Sequence, residues 1–285
     1  MLFAILLAAA PSVHLEAQVG TQRTSSWVYA KAGTEVTLHT VVKGGTVVHV
    51  KWFKVEAAVG SLDNTTPSFH FEPVKYEETE LTGCREQLSC AADAVATKLP
   101  RVESLPGVGT MAFKVSVTLE GGATISTPGA ETTKYGGLTK GTFRVTLRRD
   151  DSLIGYATEL INTPYIFGSA GPDGRNQSDL LIGSDCADLI VYARRRSGKS
   201  ASYTSSYAID QQAPELKAGT KARAGDLVHF PSMRHVAILY EDREPLGVVT
   251  EADLILHTCW APPTVQRLGD TACVAPPYRV LRFPN

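Results

Sequence analysis

The stretch GSDCADLIVYARR, residues 183–195, places a cysteine at the start of a predicted helix. Asp185 is a favourable N-cap, so Cys186 falls at the first helical position, and Gly198 can end the helix after three arginines. The apolar face, with spacing i, i+3, i+4 and i+7, consists of Cys186, Leu189, Ile190 and Ala193. The thiol is therefore expected at the positive end of the helix, where the pKa of a cysteine can fall from about 8.5 to about 3.5–7.5. The charge of Asp185 opposes that lowering, and an inert, packed cysteine is the alternative.

The chain has five cysteines, an odd number that leaves at least one thiol outside any intramolecular bridge. Cys84 and Cys90 are close together in CREQLSC, and Cys259 and Cys273 are the next closest pair. Two bridges can be drawn in 15 ways among five cysteines, so the sequence alone does not settle the pairing. Pairing neighbours joins residues of a single segment and leaves Cys186 as the free thiol, which is the pairing we expect in an oxidising compartment.

The N-terminus predicts export. Leu2 to Ala10 form an unbroken apolar run of nine residues, far short of the roughly 20 that span a bilayer. We expect residues 1–17 to be a signal peptide cleaved after Leu15-Glu16-Ala17, with Ala10 as an alternative site and a buried N-terminal helix as the less favoured interpretation. No other segment is apolar enough to cross a membrane, so the protein is predicted to be periplasmic or secreted, without stable membrane insertion. With a net charge of −1 and no basic patch, nucleic acid is not an expected partner.

The length of 285 residues and the hydrophobic periodicity predict two domains after the signal peptide. Residues 18–149 contain several period-two stretches, of which MAFKVSVTLEGG is the clearest, since its apolar residues recur at every second position from Met111 to Leu119. Short strands punctuated by Gly and Pro are typical of an antiparallel β-sandwich. Trp52, within VVHVKWFKVE, resembles the core tryptophan of immunoglobulin-like domains, although the cysteine spacing of true immunoglobulin domains is missing.

Residues 150–285 predict a second domain that contains helices as well as strands. Asp151 or Ser152 can cap a helix in LIGYATELI, the helix of Cys186 follows, and strands are indicated at GDLVHF, HVAILY and DLILHT. Helices first and antiparallel strands afterwards is an α+β order. The chain as a whole is thus predicted to be α+β, a sandwich followed by a domain whose Cys186 helix packs on an antiparallel sheet.

Two histidines are brought together if HVAILY and DLILHT form a hairpin. With His235 opposite His257, the centre of the hairpin falls in Pro245-Leu246-Gly247, the best turn sequence of the segment. Directly opposed residues share a face of a sheet, so the two imidazoles are expected to be neighbours. A cysteine at a helix N-terminus with two adjacent histidines suits a nucleophile, a base and a group that orients the base.

The second domain resembles the NlpC-type bacterial cell-wall cysteine peptidases, a papain-like superfamily. Five stretches carry the resemblance, in the family's order over roughly residues 151–260: PYIFGS with Tyr165, SDCADLIVYARRRSG with Cys186, AGDLVHF with Asp226, RHVAILY with His235, and DLILHT with His257. His235 lies 49 positions after Cys186. The resemblance implies a papain-like fold in which Cys186 is the nucleophile, His235 the general base and His257 the residue that orients it. It also implies that Tyr165 and Asp185 lie at the substrate and oxyanion region.

The same resemblance implies a cysteine hydrolase that cleaves amide bonds in peptidoglycan stem peptides, with no metal or other cofactor. The expected partner is peptidoglycan or a peptide substrate, and the N-terminal domain is expected to bind the wall or a protein partner, or to position substrate. Ala187 and Asp188 depart from the Ser-Gly usual in the family, and the insertion GPDGRNQSDLLIG, residues 171–183, is a candidate flap. Three alternatives stay open: an amidase or acyltransferase on the same triad, a non-catalytic wall-binding module, and a zinc site formed by Cys186, His235 and His257.

Overall fold

The fold consists mostly of β-sheets with few helices, in a mixed, α+β-like arrangement. The computed structural model describes residues 10–63, 73–102, 104–133, 136–168 and 176–284. Part of the expected signal peptide, residues 1–9, and part of the insertion before Cys186, residues 171–175, lie outside this described portion.

Ten of the eleven described strands of the N-terminal half form two sheets. The strands of this half are β1 (Ser12–Val19), β2 (Gln22–Thr24), β3 (Val28–Lys31), β4 (Val36–Lys43), β5 (Val47–Ala57), β6 (Ser61–Asp63), β7 (Tyr76–Glu80), β8 (Ser89–Ala91), β9 (Gly109–Leu119), β10 (Thr124–Ser126) and β11 (Phe143–Arg148). One sheet has the order β2-β1-β4-β8, and the other has the order β3-β11-β9-β5-β7 with β10 paired to β9. Pairing is antiparallel except that β3 runs parallel to β11, so the expectation of a purely antiparallel N-terminal half was wrong at that edge.

Side chains from both sheets meet in one core. The period-two pattern of β9 is confirmed, because every apolar residue at alternate positions from Met111 to Leu119 is buried. Trp52 of β5 is fully buried in this core, and its indole N–H donates to the backbone carbonyl of Gln87 at 2.8 Å. Leu38 of β4 contributes from the opposite sheet. The two sheets thus cover a shared apolar layer, as the alternation predicts.

The C-terminal half contains the described α-helices and a five-stranded sheet. Its elements are α1 (Leu153–Ala157), β12 (Tyr165–Phe167), α2 (Cys186–Arg196), β13 (Leu227–Phe230), β14 (His235–Glu241), β15 (Leu254–His257), β16 (Thr264–Arg267) and β17 (Arg279–Leu281). The sheet has the order β16-β15-β14-β13-β17, and all of its pairs are antiparallel. Helix α2 packs on this sheet through a core that includes Leu189 and Ile190 of the helix and Ile238 of β14.

Both helices begin where the capping residues predict. Ser152 caps α1, accepting a hydrogen bond from the Gly155 N–H, and Asp185 caps α2. After α2, Gly198 adopts φ +78°, the left-handed conformation in which a glycine ends a helix without steric cost. The predicted start and end of the α2 helix are therefore confirmed.

A buried carboxylate fixes α2 against the segment that follows α1. The side chain of Glu159 is fully buried in the 3-10 turn Thr158–Leu160. It accepts hydrogen bonds from Tyr192 Oη at 2.6 Å and from Arg196 Nε at 2.7 Å. Because a buried carboxylate is stable only when it is paired and hydrogen-bonded, this contact holds the C-terminal half of α2 in one orientation.

The two halves of the chain are joined by a short parallel sheet and a shared apolar cluster. Strand β12 pairs in parallel with β6, in the register Tyr165 with Ser61 and Phe167 with Asp63. Ile166 and Ile182 pack in one cluster with Ala57, Val74, Ala96 and Leu99 of the N-terminal half. The N-terminal half therefore supports the strand that carries Tyr165.

Strand β1 overlaps the predicted end of the signal peptide. All eight residues of Ser12–Val19 pair with β4, and Leu15 and Ala17 are buried in the core. Cleavage after Ala17 would remove most of this strand and expose the core, so the strand favours the alternative site, and the 1–17 boundary stays a prediction. The alternative site at Ala10 leaves β1 intact.

The disulfide pairing expected from the sequence is confirmed. Cys84 is bonded to Cys90 and Cys259 to Cys273, and Cys186 is the free cysteine. Two disulfides are compatible with an exported protein, because such bonds persist in oxidising compartments. Within the described residues, none of the helices has the length and apolarity needed to cross a membrane.

Replacing Cys259 and Cys273 together by serine is expected to lower the free energy of unfolding by about 3 kcal/mol, the chain-entropy value for a loop of about 15 residues. The matched control replaces Cys84 and Cys90 by serine. The bridge that it removes closes a shorter loop, so the expected loss in the free energy of unfolding is about 2.4 kcal/mol. Denaturant unfolding without reductant measures both losses. An unchanged free energy of unfolding for the first double variant would contradict the prediction.

Candidate active site

A cleft of about 490 Å³ contains the free cysteine and one of the two paired histidines. The residues of its lining that matter below are Tyr165, Asp185, Cys186, Ser206, His235 and Trp260. Four of the five residues predicted for catalysis or substrate binding thus share one cleft. The fifth, His257, is buried behind His235.

The nucleophile position is built by two adjacent extended segments and a cap. Gly183 lies so close to Ile166 and the Pro164 carbonyl that a Cβ there would approach both within 2.6 Å, so only glycine fits. Ile166 N–H donates to the carbonyl of Ser184 at 3.1 Å, which fixes the chain just before the helix. This pairing explains why the Tyr165 and Cys186 motifs, 21 positions apart in sequence, line the same cleft.

The cap of α2 determines the electrostatics of the thiol. One carboxylate oxygen of Asp185 accepts hydrogen bonds from the backbone N–H groups of Ala187 and Asp188, at 3.0 and 2.9 Å. Those are the groups that would otherwise stabilise a thiolate at the helix N-terminus. Burial raises the pKa of Cys186 to about 12, and the charge of Asp185 acts in the same direction. The expected lowering of the thiol pKa was therefore wrong, and the resting cysteine is a neutral thiol.

Asp188, a departure from the pattern of the family that the sequence resembles, is buried in the first turn of α2. Burial raises its pKa well above the ordinary range, the neighbouring charge of Asp185 adds to the rise, and the side chain bonds to Asn176. Burial raises the pKa of Asp185 as well, and the two backbone hydrogen bonds that it accepts act against that rise. Asn176 belongs to the insertion predicted as a flap. The described part of that insertion, residues 176–183, is largely buried and does not line the cleft.

His235 and His257 are neighbours, as predicted, but they are not directly opposed. Strands β14 and β15 pair Ile238 with Leu256 and Leu239 with Ile255, which puts His257 two residues out of the predicted register. A shift of two residues keeps both side chains on the same face of the sheet. His235 Nε2 lies 2.9 Å from His257 Nδ1, so the two rings form a hydrogen bond across the diagonal.

The hydrogen bond between the imidazoles leaves Nδ1 as the ring nitrogen of His235 that can serve the thiol. Phe230, directly opposite His235 in the register of β13 and β14, stacks on its ring at 6.0 Å with an interplanar angle of 19°. Burial lowers the pKa of His235 to about 3 and that of His257 to about 4. Both imidazoles are therefore neutral near pH 7, and His235 is available as a base.

Ser206 is a site residue that the sequence analysis missed. The thiol lies within hydrogen-bonding reach of the Ser206 hydroxyl and of the backbone N–H of Val236. The same hydroxyl donates to the carbonyl of Arg234 at 2.5 Å. Since a hydroxyl has only one proton, Ser206 is left as an acceptor for the S–H group. No spacing or periodicity marks this serine, because it lies in a 3-10 turn, Ser206–Gln211, that is brought to the site by tertiary packing.

Asp226 carries part of the family resemblance and has a structural position. Its carboxylate, buried at the start of β13, accepts two hydrogen bonds from Arg282 at 2.6 and 2.7 Å. The Arg223 N–H donates to it as well. This bidentate pair fastens the C-terminal strand β17 beside β13, and Asp226 does not line the cleft.

The rate of alkylation of Cys186 by iodoacetamide is expected to rise about tenfold per pH unit from pH 7 to pH 10, without a plateau. Only the thiolate reacts, and burial raises the pKa of this thiol to about 12. Mass spectrometry of the labelled protein gives the rate, with circular dichroism at each pH showing that the fold persists. A plateau below pH 8 would indicate the low-pKa thiol first expected from the helix position and would contradict the environment described above.

Within the described residues, no group of three or more His, Cys, Asp and Glu side chains is arranged to hold a metal ion. No protein-family model, curated protein or solved structure matches this chain.

Proposed function

We propose that this protein is an exported cysteine hydrolase that cleaves amide bonds in peptidoglycan stem peptides. The observation that carries the proposal is the cleft in which Cys186, at the start of a helix, lies with His235, itself hydrogen-bonded to His257. A nucleophile, a base and a buried group that orients the base are the parts required for acyl transfer through a covalent intermediate. The resemblance of five sequence stretches to NlpC-type peptidases supports the choice of substrate.

The first half of the proposed reaction forms a thioester. His235 Nδ1 takes the S–H proton as the sulfur attacks the amide carbon, and negative charge moves to the carbonyl oxygen. Collapse of this tetrahedral intermediate breaks the C–N bond, and His235 returns the proton to the leaving amine. Because both groups are neutral at rest, proton transfer accompanies attack on bound substrate and does not precede it.

The second half of the reaction releases the acid product. Water attacks the thioester carbon and gives a proton to His235. Collapse of this second tetrahedral intermediate breaks the C–S bond, and His235 returns the proton to the sulfur. Throughout, His257 Nδ1 accepts from His235 Nε2–H, which keeps Nδ1 of His235 facing the cleft and stabilises the imidazolium when it forms. The Cys186 N–H has no partner within its own helix and, with Tyr165, is the proposed donor set for the oxyanion.

We further propose that the fold behind this site is a papain-like domain preceded by an immunoglobulin-like sandwich. A helix bearing the nucleophile on an antiparallel sheet supports the first assignment, and two sheets covering a core around Trp52 support the second. The N-terminal half acts in substrate positioning, because β6 pairs with the strand of Tyr165.

The proposal is tested with purified sacculi. The exported protein is incubated with sacculi, and the released fragments are identified by mass spectrometry, with Cys186→Ala as the control. We expect fragments that carry the mass of one added water at a single type of amide bond, formed in the presence of a chelator and abolished by prior alkylation. Retention on sacculi without fragments would favour a wall-binding module, and activity that resists alkylation but not chelation would favour zinc chemistry. Either result would overturn the proposal.

A further inference from the structure

Three aromatic side chains form one wall of the cleft. The rings of Tyr165 and Trp260 lie 5.2 Å apart, those of Phe167 and Trp260 lie 5.5 Å apart, and those of Tyr165 and Phe167 are stacked at 6.4 Å. All three residues line the cleft that contains Cys186. We call Tyr165, Phe167 and Trp260 the aromatic wall.

Two members of the aromatic wall, Phe167 and Trp260, differ from the aromatic residues of the cores. Trp52, Phe113 and Phe230 are fully buried, whereas Trp260 is 58% and Phe167 40% exposed. Large aromatic surface left open beside a catalytic group is typical of a binding site, because folding alone would bury it. Packing of the protein interior therefore accounts for Tyr165, which is buried, but not for Phe167 and Trp260.

The chain holds Trp260 in place at a cost. Its φ of +52° is in the left-handed region, which is unfavourable for a bulky side chain. The preceding residue, Cys259, is bonded to Cys273, and both cysteines also line the cleft. On the other side, Pro262 packs near Gly60 of the N-terminal half. A bulky residue held in a strained conformation by a disulfide, and yet exposed, indicates a role at the surface of the cleft.

We infer that the aromatic wall binds a sugar ring of the glycan strand that carries the stem peptide, an inference that rests on the proposed function. A pyranose ring presents C–H groups on its face, which pack on an aromatic ring, and hydroxyl groups at its rim, which need polar partners or water. An open wall satisfies both requirements, whereas an apolar side chain of a peptide would favour an enclosed pocket. Ser205 and Arg234, exposed at the same cleft, offer a hydroxyl and a guanidinium to sugar hydroxyls.

We therefore expect intact peptidoglycan, in which the stem peptide is still attached to sugar, to be the preferred substrate. A neutral N-acetylated sugar on the aromatic wall does not require a charged partner. Asp185, the acidic residue of the cleft lining, is therefore not needed to bind it. The site therefore gains affinity for glycan-linked peptides through ring stacking, independently of the atoms that react.

Binding of a linear β-1,4 N-acetylglucosamine oligomer to the Cys186→Ala protein, followed by tryptophan fluorescence and calorimetry, tests the inference directly. We expect a Kd on the order of 1 mM, weakened about tenfold or more by Trp260→Ala, the loss that one stacking ring gives. Phe167→Ala should weaken binding as well. Tyr207→Ala, which removes a ring that is 71% exposed and outside the cleft lining, is the matched control and should leave the Kd unchanged. No binding at concentrations far above 1 mM, or equal loss in the Tyr207 variant, would overturn the inference.

Kinetics on two substrates separate this inference from the proposed function. With Cys186 intact, Trp260→Ala should raise KM about tenfold for a stem peptide attached to a disaccharide and leave KM for the free stem peptide unchanged. An equal effect on both substrates would assign the aromatic wall to the peptide and contradict the inference. If neither substrate is cleaved but the oligomer binds through Trp260, the proposed hydrolysis fails and the sugar site stands.

Discussion

Replacing Cys186 by alanine is expected to lower kcat/KM for wall-peptide hydrolysis by at least about a thousand-fold, to the background level. The variant removes the sulfur that forms the thioester, and the structure offers no second free thiol among its described residues that could replace it. Cleavage of a stem-peptide substrate, followed by mass spectrometry, measures the loss.

The fold of the Cys186→Ala variant is expected to persist. Cys186 is half-buried at the edge of the core between α2 and the sheet, and removing one sulfur atom there costs about 1 kcal/mol. Thermal unfolding by circular dichroism should show a small decrease in Tm. Cys186→Ser, which keeps the shape and a poorer nucleophile, should be nearly as inactive.

The matched control for this prediction removes sulfur elsewhere. The double variant Cys84→Ser and Cys90→Ser loses a disulfide of the N-terminal half, and it should keep most of the activity while losing some stability. If Cys186→Ala turns over substrate as fast as the unaltered protein while folded, Cys186 is not the nucleophile and the proposed function is wrong.

Much of the local structure of the site could be predicted, because local rules determine it. The N-cap, the apolar face of α2 and the glycine that ends the helix depend on residues within a few positions of one another. The proximity of the two histidines followed from a hairpin, in which register errors of an even number of residues leave the facing side unchanged. Even a wrong register therefore gave the correct neighbours.

The electrostatics of the thiol could not be predicted from the helix position alone. The helix dipole and the capping carboxylate act in opposite directions, and only the geometry shows that Asp185 occupies the N–H groups that would favour a thiolate. Burial then decides the outcome, and burial depends on chain segments far apart in sequence, such as Ser206 and Val236.

The support that the N-terminal half gives to the strand of Tyr165 could not be predicted from the sequence either. Strand β6, Ser61–Asp63, has only three residues, too few for periodicity to mark it, and its partner β12 is equally short. Their parallel pairing joins segments about 100 positions apart in sequence. Strand β1 was not predicted, for another reason. A strand that directly follows an apolar, signal-like run is easily counted as part of the signal peptide.

The second large effect is expected at His235. His235→Asn and His235→Gln should each lower kcat/KM by at least about a thousand-fold, because an amide cannot accept the proton of the thiol at neutral pH. The low pKa of His235, about 3, keeps the unaltered base neutral well below pH 6, so activity should persist at pH 5, where a histidine with an ordinary pKa is mostly protonated. A loss of activity with a midpoint near pH 6.5 would show that His235 is not buried in the manner described.

Substitution of His257 should lower activity far less than substitution of His235. The ring nitrogen through which His257 bonds to His235 determines which amide side chain replaces it best. The bonding atom is Nδ1, which is attached to Cγ, and the Oδ1 of asparagine is attached at the same position. His257→Asn therefore retains an acceptor for His235 Nε2–H, whereas the amide of His257→Gln lies one carbon farther out. The other ring nitrogen, Nε2, is buried without a hydrogen-bond partner among the described residues, so shortening the side chain breaks no bond at that end.

We expect His257→Asn to retain activity within about ten- to a hundred-fold of the unaltered protein and His257→Gln to retain measurably less, because an amide orients the ring of His235 without sharing the charge of the imidazolium. The measurement is kcat/KM for the two His257 variants and the two His235 variants on one wall-peptide substrate, with Tm values to exclude unfolding. If His257→Asn is as inactive as His235→Asn while folded, His257 does more than orient the base. If glutamine restores more activity than asparagine, the hydrogen bond through Nδ1 is not the one that the reaction uses.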